Sequence, residues 1–269
     1  MTNYHIFIGY DEREHETFLV AKDSILKHAT VPVVIHKLHH RDLRQQGLFT
    51  REWTIAADGQ YICNVDSKPF STQFSHSRFL LPELWRNLMD PQKSPLVMFV
   101  DCDFLYLDDI GEMFKEIEED RLKKHNCSPV YCTQHDYNPQ STKKMDNIVQ
   151  SKYNMKLWSA MMVFNMDHPD NAHLLPEVVN TETGRWLHNF GWLANQHSIG
   201  HISEKWHFVP NHSEKNTAHI GALHYTEGGP WFPNYRNCRY AKAWWDGYNE
   251  YLQNTLVSVN FDMENLIDG

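Results

Sequence analysis

Five consecutive apolar residues, Leu96-Val97-Met98-Phe99-Val100, run unbroken and then stop at Asp101-Cys102-Asp103. A continuous apolar run of that length suits a strand buried on both faces of a parallel sheet. Strands of similar character are predicted at His5-Ile6-Phe7-Ile8-Gly9-Tyr10, which enters a turn at Gly9, and at Val31-Pro32-Val33-Val34-Ile35. Two more follow at Ser128-Pro129-Val130-Tyr131-Cys132-Thr133 and Ala160-Met161-Met162-Val163-Phe164-Asn165. Between the first two, Phe18, Ala21, Ile25 and Leu26 share one face of a helix running from Asp11 to about Ala29. Acidic residues in its first turn suit the helix dipole. The chain therefore opens β-α-β, as a nucleotide-binding α/β sheet does.

The remaining pattern is more broken. Residues 39–60 are polar and read as an irregular surface excursion. A helix is expected from Ser71 through Phe79 and Leu80 toward Leu88, kinked or divided at Pro82. Phe104-Leu105-Tyr106-Leu107 continues apolar beyond Asp103, and Asp108-Asp109 opens a helix through Glu119, a structural use of two short acidic side chains. Residues 169–200 read as helix in pieces, and His207-Phe208-Val209 and His219 through Tyr225 as late strands. A Trp- and Tyr-rich helix from about Tyr240 to Leu256 follows. No repeat, low-complexity stretch or linker intervenes, so the expectation is one α/β domain spanning residues 1–269, with a mostly parallel central sheet flanked by helices.

Composition narrows the function classes. At 269 residues, 41% hydrophobic and 22% charged, the chain is ordinary for a globular protein with a substantial core. Its aromatic fraction of 13%, with nine Trp, is high, and fits either a large aromatic core or ring platforms for sugars or bases. A formal net charge of −9 disfavours nonspecific binding to nucleic acid or to an anionic membrane surface. The 18 His include no His-Glu-x-x-His, which argues against a zinc protease. Five Cys with no Cys-x-x-Cys suggest reduced thiols and a cytoplasmic setting. Met1 through His5 carry no signal-peptide pattern, and no apolar run reaches membrane-spanning length.

Candidate chemistry centres on the end of the buried strand. In an open α/β sheet, ligands bind beyond the carboxyl ends of the strands. Asp101 and Asp103 there can share one hard cation and leave its other positions for phosphate oxygens and water. A second informative stretch is His224-Tyr225-Thr226-Glu227-Gly228-Gly229-Pro230-Trp231. Paired glycines let a backbone approach a bulky anion and offer unhindered N–H groups, and His224 at the strand end is a candidate third metal ligand. Arg78, between Ser77 and Phe79, is a candidate buried or ligand-facing cation. The segment 137–157 carries Lys143, Lys144, Lys152 and Lys156 against one carboxylate, Asp146. It reads as a solvated loop, or as a lid that brings positive charge over a phosphate.

Four segments together resemble the retaining glycosyltransferases of the GT-A fold, especially the family-8-like group that includes glycogenin and bacterial galactosyltransferases. They are Ile6-Phe7-Ile8-Gly9-Tyr10-Asp11, Ser77-Arg78-Phe79 with Pro82, Phe99-Val100-Asp101-Cys102-Asp103, and His224 through Trp231. The resemblance implies a nucleotide-binding half over about residues 1–135 and an acceptor half over about 136–269. It implies that Asp101, Asp103 and His224 hold Mn²⁺ or Mg²⁺, with Asp101 also touching the ribose, and that Gly9, Tyr10 and Asp11 border the base. Arg78 would approach the nucleotide or donor sugar, Asp136 would hold donor-sugar hydroxyls, and Gly228 and Gly229 would lie under the pyrophosphate. Three departures stand out. Gly229 precedes Pro230 where the family usually has Lys in His-x-x-Gly-x-x-Lys-Pro-Trp, so Lys143 and Lys144 in the 143–156 loop are the candidate phosphate cations. Trp158-Ser159-Ala160 stands where the family often has Asn. Asn195-Gln196 replaces an acidic run, which makes Gln196 the candidate at the reaction centre.

The implied activity is metal-dependent transfer of a sugar from a nucleoside-diphosphate donor, UDP-sugar above all, to an acceptor hydroxyl with retention of configuration. A glycan, a protein, a small molecule, or modified bases of phage DNA remain open as acceptor, and the setting would be the cytoplasm of a bacterial cell or a phage-infected host. Two rivals compete. Asp-x-Asp phosphatases and phosphotransferases usually carry the motif on the first strand, with Thr or Val two residues after the second Asp, where Leu105 stands here. A non-catalytic sugar-binding module would use the aromatics and need neither cation nor nucleotide.

Overall fold

The computed structural model describes all residues except 126, 138–142, 145–147, 150–154, 216 and 268–269; the side chains of 143–144, 148–149 and 257–267 are also outside the described set. The chain opens with β1 (Asn3–Gly9), α1 (His15–His28) and β2 (Val33–Leu38). Asp11 caps the short turn that leads into α1, its side chain accepting from the Arg13 backbone N–H. The stretch 39–60 is more regular than its polarity suggests. It holds α2 (His40–Gln45) and β3 (Trp53–Ile55), which continue into β4 (Tyr61–Cys63) and β5 (Pro69–Phe70) as a small antiparallel sheet. The helix expected from Ser71 forms only as a 3₁₀ turn, Ser77–Leu80, followed by α3 (Leu81–Arg86). Pro82 neither kinks nor divides α3: it sits in the first turn, where its missing N–H has no helical partner to lose.

The buried run is β6 (Lys93–Val100), starting three residues earlier than its apolar core. β7 (Phe104–Tyr106) is a separate strand beyond a turn, not a continuation. α4 (Ile110–Lys123) begins at Asp109, whose carboxylate accepts from Gly111 N at 2.8 Å and from Thr30 N at 3.0 Å. Then come β8 (Val130–Cys132), the short β9 (Lys143–Lys144) and β10 (Ile148–Val149), and β11 (Met161–Asn165). Helical pieces α5 (Pro176–Thr181) and α6 (Gly184–His188) precede β12 (Gly200–His201), β13 (Ala222–His224) and α7 (Ala241–Ile267). His207 belongs to a 3₁₀ turn, Glu204–His207, and Phe208 makes a single bridge to Leu223 rather than a strand.

The central sheet has order β12-β8-β11-β6-β1-β2. Pairings β1·β2, β1·β6 and β8·β12 are parallel; β11 runs antiparallel to both β6 and β8. β6 lies between β1 and β11 with Leu96 through Val100 fully buried, so its carboxyl end is fixed on both sides. A second, smaller core joins Val20 of α1, Leu105, Phe208, Leu223 and Tyr225 to Trp244 of α7. All nine Trp pack into these two cores, fully or in part. All five Cys are free thiols. Among the described residues, no helix is long and apolar enough to cross a membrane.

Candidate functional site

The site begins where β6 ends. Asp101 N donates to Ala160 O at 2.8 Å, extending the β6–β11 pairing by one residue and orienting the turn that follows. That turn carries Asp103 to the start of β7, which pairs antiparallel with β13 so that Phe104 faces His224. Tyr225 N donates to Asp103 O at 3.0 Å and closes the junction. Two segments far apart in sequence thus meet through one strand pairing. Asp101, Asp103 and His224 each offer one ligand atom, all within 4.8 Å of one another. His224 is buried; its ring stacks on Phe104 with centroids 4.3 Å apart, and its Nε2 lies 3.3 Å from Asp103 Oδ1. Its Nδ1 is 2.7 Å from Nε2 of His207, a fully buried residue. Two carboxylates and an imidazole form a donor set suited to Mn²⁺ or a similar oxygen-preferring divalent ion.

Arg78 supplies the opposing charge. Its guanidinium lies 2.8 Å from Asp101 Oδ1, donates to Ser159 O at 2.7 Å, and stacks over the Phe99 ring at 4.7 Å. Ser159 Oγ in turn lies 2.7 Å from His188 Nδ1. Arg78, Asp101, Ser159 and His188 line a cavity of about 410 Å³ that also receives Asp103, His76, Lys156, Arg185 and Thr226. Burial holds the His188 imidazole well below its usual range, and the positive charge of Arg78 adds to the effect. His76 is depressed for the same first reason, with Arg51 and Arg78 contributing. A neutral His pair and four cations (Lys68, Arg78, Lys156 and Arg185) thus line a space with three carboxylates (Asp66, Asp101 and Asp103), in a chain whose overall charge is −9. Such a space fits an anionic ligand of nucleotide-sugar size.

The other candidates named from the sequence fall in different places. Gly9 ends β1 against the Phe74 ring, which a Cβ would approach to 2.6 Å. Tyr10 reaches His15 Nδ1 at 3.0 Å through its hydroxyl and carries Lys37 4.8 Å over its ring. Asp11 is fully buried, and both carboxylate oxygens accept hydrogen bonds from Arg13 and Gln73. Gly228 adopts φ +125°, a region that favours glycine, and its N–H donates to Tyr225 O at 2.8 Å. That N–H closes a turn, so it is not offered to an anion. A Cβ on Gly229 would come within 1.9 Å of the Trp231 ring. Asp136 is exposed just past β8, and Gln196 is exposed with Nε2 donating to Asn189 O at 2.6 Å; neither lines the cavity. The side chains of Lys143 and Lys144, and the whole of Lys152, lie outside the described residues. Of the lysine-rich segment, Lys156 is buried in the cavity wall.

Sequence reasoning missed His76, Ser159, His188, Arg185 and His207. Arg185 follows Gly184 at the start of α6, a position with no motif around it. The histidines sit among apolar or mixed neighbours, where spacing carries no signal of the tertiary pairing.

No family model matches the chain. Over 252 residues the chain is 42% identical to Protein CDI of Arabidopsis thaliana, covering 92% of this chain and 87% of that protein. The glycosyltransferase GlyE of Streptococcus pneumoniae TIGR4 superposes with a TM-score of 0.53 at 11% identity, over 96% of this chain but only 64% of GlyE. The chain thus spans less than two thirds of that protein's length. An active-site mutant of LgtC superposes with a TM-score of 0.52 at 11% identity, covering 91% of this chain and 95% of LgtC. At such identities the likeness is one of fold: a mixed α/β sheet of the GT-A glycosyltransferase type.

Proposed function

The chain belongs to the family of Protein CDI, and from that premise and its site geometry we propose that it is a metal-dependent glycosyltransferase using a nucleoside-diphosphate sugar, UDP-sugar in particular. The observation that carries this reading is the meeting of Asp101, Asp103 and His224 within 4.8 Å beside a cavity lined by Arg78 and Lys156. Asp101, Asp103 and His224 would hold Mn²⁺ or Mg²⁺, which would supply charge stabilisation to a departing diphosphate. Arg78 orients Asp101 through their 2.8 Å ion pair. Lys156 brings an ammonium into the same cavity, the role the family-8-like pattern gives to a late-loop Lys.

In the reaction, the bond between the sugar C1 and the β-phosphate oxygen breaks, and its electron pair leaves with the nucleoside diphosphate. The acceptor hydroxyl oxygen bonds C1 from the same face, and its proton passes to the departing phosphate oxygen. Configuration at C1 is therefore retained. The acceptor class is a glycan or a small molecule bearing a free hydroxyl. A screen of nucleotide sugars for Mn²⁺-dependent hydrolysis, with mass spectrometry of candidate acceptors, tests the reading. Asp103→Ala should lose nearly all such turnover; unchanged activity refutes the metal assignment. Hydrolysis of a generic phosphomonoester with no UDP binding by calorimetry would instead identify a phosphatase.

A further inference from the structure

We propose that His135, Glu204 and His212 form a second cation site, for a transition-metal ion of the zinc type, behind the Asp101–Asp103–His224 site and chemically distinct from it. Its parts come from three segments: the chain just past β8, the Glu204–His207 turn, and the turn before Ser213. One ligand atom from each lies within 4.8 Å of the others. His135 Nδ1 is 3.3 Å from Glu204 Oε1, and His212 Nε2 is 4.0 Å from the same oxygen. Tetrahedral zinc with bonds of about 2.1 Å sets neighbouring ligand atoms about 3.4 Å apart. The first pair already has that separation, and the second reaches it by a small movement of His212, whose side chain is 26% exposed.

The observation that points to a ligand is the state of His135. Its side chain is 1% exposed, and although it lies beside the His207 main chain, neither ring nitrogen forms a well-aligned hydrogen bond. A buried polar group left so is costly, and a coordinated cation answers it. The Glu204 carboxylate is itself oriented, accepting from Ser213 Oγ at 2.6 Å, as carboxylates that bind metal commonly are. Two imidazoles and one carboxylate favour zinc, whereas the two carboxylates of the neighbouring site favour a harder ion. The His207 ring stands between the two sites, 4.4 Å from that of His135 and hydrogen-bonded to His224. A cation at the rear site therefore stiffens the wall that carries His224. The inference stands independently of the glycosyl-transfer reading.

The test uses the full chain, stripped with EDTA and titrated with Zn²⁺ or Co²⁺ alone, with bound metal measured by mass spectrometry and Co²⁺ geometry by absorption. The expected result is one tightly held Zn²⁺ that survives in Asp103→Asn, with the strong visible bands of tetrahedral Co²⁺. His212→Ala and Glu204→Gln should each weaken that binding at least tenfold, while their metal-free melting temperatures show that the fold is intact. Absence of a tight Zn²⁺ in Asp103→Asn overturns the proposal. So does undiminished Zn²⁺ retention in His212→Ala.

Discussion

His207 Nε2 lies 2.7 Å from His224 Nδ1, and both imidazoles are buried at the foot of the candidate metal site. The contact leaves His224 Nε2 facing Asp103. A proton on His224 Nδ1, donated to His207, fixes the tautomer whose Nε2 carries a lone pair for a cation. His207→Leu keeps a buried apolar body and removes the acceptor. Loss of such an orienting partner typically costs 10- to 100-fold in metal affinity. Mn²⁺ titration followed by electron paramagnetic resonance should show a drop of about that size, with His207→Gln recovering part of it.

Arg78 and Asp101 form an ion pair whose side chains are 5% and 15% exposed. Removing one partner of a buried pair leaves the other charge uncompensated, at a cost of about 3–5 kcal/mol. Arg78→Met should therefore lower the unfolding free energy obtained from urea titration by an amount in that range, even without metal. Arg78→Lys restores charge but not the planar stack on Phe99, so it should recover only part of the loss. A midpoint within experimental error of the native chain in Arg78→Met would show that the pair contributes nothing to stability.

These relationships explain what sequence made legible. β1, β6 and β11 are buried almost throughout, so their apolar runs are continuous and their ends are sharp. Asp101 and Asp103 could be read because they follow such an end directly, and His224 because it ends another strand. The β3–β5 sheet was missed because its strands are two or three residues long and several of its residues face solvent. Pro82 was misread because a proline's effect depends on whether it falls inside a helix or in its first turn. The Ser159–His188 and His207–His224 contacts join residues by tertiary packing alone, which leaves no periodic trace. Asp11 shows the converse: a motif position whose carboxylate is engaged by Arg13 and Gln73.

Desolvated histidines, the half-buried His36 and the buried His40, make stability depend on pH. Desolvation pushes His36 down to about 4, with His5 adding to it, and pushes His40 down to about 4, with His39 and Arg44 adding. In the unfolded chain each returns to about 6.5. Between those values the unfolded state binds protons that the native state refuses, so stability falls as pH falls from about 6.5 toward 4. Urea midpoints in EDTA should be level from pH 8 to 7 and decline steadily between pH 6.5 and 4.5. His40→Phe should flatten part of that decline. A midpoint that rises on acidification would contradict neutral burial of these rings.

Lys156 offers the sharpest test of where a donor phosphate would be held. It is 8% exposed, lies in the cavity wall with Arg78 and Asp101, and closes the lysine-rich segment that begins at Lys143. A charge-assisted hydrogen bond to a phosphate contributes about 1.5–3 kcal/mol, equivalent to a loss of about 10- to 140-fold in affinity when it is removed. Lys156→Met keeps the length and apolar stem of the side chain, so the core around Leu157 and Ala160 should hold its packing. Calorimetry with UDP and Mn²⁺ should show the weakened binding, with a melting temperature close to that of the native chain. Lys156→Arg should retain part of the affinity, because the charge remains while its shape changes. Equal UDP affinity in Lys156→Met and the native chain would move the phosphate contact away from Lys156, and Lys143→Ala with Lys144→Ala would then be the pair to measure.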